Sequence, residues 1–171
     1  MSRAMVARIA LAAAGVLAVA SGALAKEWPL DPPRIESSDT QAQRDWVSRY
    51  LDQDDWALAS FANGQFWLVS TEVSAHNAYP KVQDWIRIEN GGPYGPKLHI
   101  GSTLVQVEVD CASVSYTPLR FINYRNNNLR GQVVGDTEPA DPKPEKMSAG
   151  SIGEAAVKQI CDGAAPATEA R

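Results

Sequence analysis

Histidine and cysteine are scarce in this chain, with two of each among 171 residues. That scarcity removes most metal and nucleophile chemistry at once. His76 and His99 stand at no ligand spacing from Cys111 or Cys161, and two cysteines are half of a structural zinc site. The chain has no His-Glu-x-x-His, no Gly-x-Ser-x-Gly elbow and no pair of acids on one helix face. Each histidine neighbours turn or loop residues and reads as a loop or edge residue, not as a general base. The glycines of GGPYGPKLHIG, residues 91–101, match neither a Walker loop nor a dinucleotide fingerprint. DQDD at residues 52–55 lacks the glycine and distal glutamate of a calcium loop and reads as a solvated turn. These absences predict no catalytic residue, no metal and no cofactor, and so no enzyme.

Long apolar runs are also missing after residue 25. The one such run, residues 9–25, follows Arg3 and Arg8 and ends in Ala23-Leu24-Ala25, the pattern of a signal peptide cleaved between Ala25 and Lys26. Rich in alanine, the run is short for a bilayer core about 30 Å thick. No cysteine lies near the junction, so no lipid anchor is expected, nor any membrane insertion after cleavage. The remaining length suits one domain. Residues 26–171 carry 14 Lys and Arg against 20 Asp and Glu, a formal charge of −6. That balance argues against nucleic acid and anionic membranes as partners. Both cysteines lie in the exported part, where an oxidising compartment makes a Cys111–Cys161 disulfide the expected state.

What is present reads as an α+β domain. Residues 26–40, with three prolines, form an extended lead-in. AQRDWVSRYL, residues 42–51, spaces Trp46, Val47, Tyr50 and Leu51 at helical intervals. WALASFA then leads through Asn63-Gly64, a favoured hairpin turn, into QFWLVSTEV, where Trp67, Val69, Thr71 and Val73 share a face. In VQDWIRIE, residues 82–89, Ile86 and Ile88 oppose Trp85 and Arg87. In TLVQVEVDC, residues 103–111, Val105, Val107, Val109 and Cys111 share one side, so the cysteine points with the valines toward the core. LRFINYR and LRGQVV, joined by three asparagines at 126–128, read as another hairpin. Residues 137–146 are polar and proline-rich, a loop without regular structure.

The closing element is a helix opened by the capping box Ser151-Ile-Gly-Glu154. Ile152, Ala156 and Ile160 form a row, with Val157 and Cys161 beside it, and Gly163 is the expected stop. A bond from Cys161 to Cys111 would staple this short helix to the sheet. The domain thus spans residues 41–163, and residues 164–171 are a disordered tail.

From residue 105 to 163 the order of features resembles the surface-adhesin protein E family of adhesin-E-like domains. The carriers are the valine-rich strand ending in Asp110-Cys111-Ala112, Tyr124 on the next strand, Gly131-Gln132 opening the following one, a polar segment, and the helix EAAVKQIC. Lys146-Met147 stands where members often place an aromatic residue. The resemblance implies a single antiparallel sheet of about six strands with a disulfide-tethered C-terminal helix packed on one face. It also implies an exported, non-catalytic binding module, monomer or weak dimer, for extracellular or host proteins. No residue here matches the family's host-binding segment. On residue type alone, Trp85, Arg87, Tyr124, Arg125 and Arg130 are the candidate anchors of an open sheet face. The competing reading is that Trp85 and Tyr124 merely line a face beneath a helix. A small periplasmic inhibitor or accessory domain of another exported protein is the alternative function. Either way the expected location is periplasmic, secreted or cell-surface.

Overall fold

The computed structural model describes residues 27–72, 79–91 and 99–164. The expected signal with its Ala25–Lys26 junction, Val73, His76 and residues 165–171 of the expected tail lie outside them. The first element is α1, Thr40–Tyr50, close to the helix expected at 42–51. It starts earlier because Asp39 caps it, its carboxylate accepting the Ala42 N–H at 2.8 Å. Leu51 then turns extended while its N–H still donates to Val47 at 2.9 Å.

Seven strands follow: β1 Trp56–Ala62, β2 Gln65–Ser70, β3 Lys81–Asn90, β4 Ser102–Asp110, β5 Ser115–Asn126, β6 Arg130–Thr137 and β7 Glu145–Lys146. Helix α2, Ile152–Ala164, ends the described chain. The sheet is an antiparallel meander in the order β1-β2-β3-β4-β5-β6, with β7 pairing on β5. Asn63 and Gly64 both adopt left-handed φ, 52° and 73°, which a tight hairpin of matching twist requires.

Each face carries its own core. Val69, Val82, Ile86, Val105, Val107 and Val109 pack against Ala156, Val157 and Ile160 of α2. On the opposite face Phe66 and Leu68 of β2 meet Ile35, Trp46, Val47 and Leu51 from the lead-in and α1. Full burial of one such side chain is worth about 1.5–3 kcal/mol. The Trp46 and Phe66 rings stack 4.9 Å apart, and a side chain at Gly91 would run into both. Cys111 and Cys161 are bonded, with Cα atoms 5.6 Å apart, and tie α2 to the end of β4.

Three expectations fail locally, the last of them by half. Residues 145–146 are not loop: they pair with Ser115 and Tyr116, because β5 begins before β6 reaches it and leaves backbone groups to satisfy. A two-residue strand beside prolines carries no period that a sequence could display. Gly163 does not stop α2, which runs on through Ala164 without a left-handed residue at 163. The capping box forms only by half. Ser151 Oγ accepts the Glu154 N–H at 3.0 Å, but the Glu154 carboxylate accepts the Gly150 N–H at 2.6 Å.

Candidate functional site

Strand alternation sends Ile86 and Ile88 of β3 toward α2 and turns Trp85, Arg87 and Glu89 to the other face. The register continues that second face outward. Trp85 aligns with Gln106 and Arg120; Arg87 with Leu104, Ile122 and Asp136; Glu89 with Ser102 and Tyr124. The apolar side of α1 clusters with residues of β1 and β2 alone among the strands. Among the described residues the face therefore carries no helix from Trp85 to β6, and Trp85, Leu104, Ile122 and Tyr124 are half-buried. Arg120 and Asp136 fork together at its rim, at 2.8 and 2.7 Å. The guanidinium holds the Asp136 carboxyl below its ordinary range. Beyond them β6 is an edge strand on which Val133 and Val134 are 47% and 39% exposed. Such an edge offers unpaired backbone groups to an added strand.

Arg87, expected as an exposed anchor of the open face, lies on that side but is covered. It is 2% exposed and cannot meet a partner. Its Nε donates to Glu89 Oε1 at 2.6 Å, Nη1 to the Asp52 carbonyl at 2.8 Å, and Nη2 to Asn128 Oδ1 at 2.7 Å. Glu89 also accepts from Asn127 Nδ2 at 2.6 Å and from the Asn128 N–H at 2.9 Å. Asn128 Nδ2 donates in turn to the Tyr50 carbonyl at 3.0 Å, so the β5–β6 turn is locked to the end of α1. Burial pushes the Glu89 carboxyl above its ordinary value, against the opposing pull of Arg87 and these donors. The signal that could have located this pair was its neighbour in composition: a turn of three asparagines supplies the amides that a buried charge needs.

The other candidates separate. Trp85 and Tyr124 both lie on the open face, and no helix among the described residues lies over either. Trp85 borders a shallow cavity of about 260 Å³ with Trp56 and Leu104. Arg130 is spent on the lead-in, its Nη1 donating to the Trp28 carbonyl at 3.3 Å. Arg125 is exposed and lines a different cavity at the end of the sheet. Leu104, Ile122, Val133 and Val134 were missed, because an apolar residue on a strand reads as core until its face is known. Among the described residues no group of three or more His, Cys, Asp or Glu gathers to hold a metal.

A profile of the family described as surface-adhesin protein E matches residues 62–162. The chain belongs to the surface-adhesin protein E family. The adhesin-E match runs from the end of β1 past Cys161, so it includes both cysteines, the buried Arg87–Glu89 pair and the open face, while α1 and the lead-in precede it. Two solved structures of Haemophilus influenzae protein E are similar to the chain. The crystal form II structure is 16% identical, covers 66% of this chain and 91% of its own, and has a TM-score of 0.46. The structure from a non-typeable strain is 16% identical over 65% and 78%, with a TM-score of 0.44. No curated protein matches. The disulfide fits an exported adhesin-E protein. No helix among the described residues is long and apolar enough to cross a membrane.

Proposed function

We propose that this member of the family is an exported, non-catalytic binding module that holds an extracellular or host protein against its open sheet face. One observation carries the reading. Among the described residues no helix covers the second face from Trp85 to β6, and that face presents Trp85, Leu104, Ile122 and Tyr124 beside the edge strand β6. Aromatic side chains on a rigid sheet supply contact area at little cost in conformational entropy. The edge backbone adds main-chain hydrogen bonds to an extended partner segment.

The test is binding of the exported protein to immobilised extracellular-matrix and serum proteins, with the double variant Trp85→Ala, Tyr124→Ala as comparison. Affinity is expected to fall about tenfold or more while the melting temperature moves little, since both side chains are only half-buried. Undiminished binding by the variant would remove the face from the reading. Protease added to intact cells should also cut the protein. Protection until the envelope is opened would instead favour a periplasmic accessory domain.

A further inference from the structure

Arg34 and Arg125 lie far apart in sequence and border one cavity of about 510 Å³, a volume typical of small-ligand sites. The cavity sits at the end of the sheet where β3 gives way to β4 and β5 to β6. Its floor is rigid. Asn127 is 5% exposed, and its Nδ2 donates to Glu89 at 2.6 Å and to the Gly101 carbonyl at 3.2 Å. Gly101 has no room for a Cβ against the Asn126 backbone, so strand end and turn are in close contact. The lead-in forms the facing wall, fastened by the Ile35 N–H to the Gly91 carbonyl at 2.7 Å. A cavity walled in this way is preorganised, which lowers the entropy lost when a ligand is fixed.

Its charge runs against that of the molecule. The chain carries a formal −4, yet among the described residues two guanidiniums line this cavity against the carboxylate of Asp31. Neither arginine makes an ion pair among the described residues, whereas Arg87 and Arg120 both do. Forked guanidinium donors match the two oxygens of a carboxylate. Two such forks suit a ligand that carries two carboxylates.

We propose that this cavity binds a carboxylate-bearing ligand, with Arg34 and Arg125 as its clamp. The site lies off the open sheet face and does not depend on the binding role assigned there. Titration calorimetry of the exported protein with triglutamate, citrate and inorganic phosphate tests it. Saturable binding of triglutamate or citrate is expected, weakened about tenfold by the double variant Arg34→Gln, Arg125→Gln. Asp31→Asn should tighten binding. Both arginines are exposed, so an unchanged melting temperature checks that the variant remains folded. Binding of triglutamate alone would point to an acidic peptide as the source of the carboxylate, and equal binding of citrate to a small organic acid. Absence of saturable binding, binding indifferent to the double variant, or phosphate binding tightest of the three would overturn the proposal.

Discussion

At the scale of single residues, Arg87 and Glu89 show what a buried charge demands. Each is nearly inaccessible, and each is surrounded by partners: two carbonyl-type oxygens and a carboxylate for the guanidinium, an amide, a backbone N–H and the guanidinium for the carboxylate. Removing one partner strands the other in a place without water. Arg87→Met is therefore expected to cost about 3–5 kcal/mol, read from denaturant midpoints, and a loss under about 1 kcal/mol would contradict this account. Asp84 is a second costly carboxyl. It lies on the α2 side of β3, beside Ile160 and Gly163, and burial pushes its pKa up to about 6 despite the Trp85 N–H that it accepts. Its pKa in the fold is higher than in the unfolded chain. The associated stability is complete below about 3.8 and is lost as the pH rises through about 6. Asp84→Asn should thus melt above the parent at pH 7.5, and the gap should close near pH 3.5. Partial contact with water limits the gap to about 1 kcal/mol. A gap independent of pH would show that the carboxyl is not responsible.

At the scale of elements, the two described helices are held by different means. Helix α1 is capped by Asp39 and anchored through Trp46, whose Nε1 donates to the Pro33 carbonyl at 2.7 Å and whose ring stacks on Phe66. Helix α2 buries Ala156, Val157 and Ile160 and is also bonded covalently to the strand end. The bond spans a sequence separation of 50, and closing a loop of that length is worth about 4 kcal/mol in the chain-entropy model. A helix this short is marginal without its contacts. Reduction, or Cys161→Ser, should consequently release α2 before the sheet melts. Amide exchange would then be fastest over residues 152–164, while residues 105–109 stay protected by the β3 and β5 ladders on either side. Equal exchange in both segments, or equal melting of oxidised and reduced protein, would refute the staple.

At the scale of the whole molecule, the unequal cover of the sheet decides what is available for binding. Helix α2 lies against one face, and α1 packs on β1 and β2 from the other. Among the described residues the β4 to β6 end thus keeps one face and one edge free, the surface proposed above to receive a partner. Much of this was legible in the chain because it is local. The period-two valines of β4, the Asn63-Gly64 turn and the row Ile152, Ala156, Ile160 each declare their element through the geometry of the backbone alone. With one cysteine on each buried side, the pairing followed as well. The site was legible only in part: Trp85, Arg87 and Tyr124 share one side of the sheet, but Arg87 is buried there and the other two are not. That burial depends on Asn127 and Asn128, amides 38 and 41 residues away from the charges they satisfy, which chain order does not bring together. Alternation determines which residues share a face. Only the packed fold decides which face meets a helix and which meets water, because burial is a property of what lies opposite and not of the strand itself.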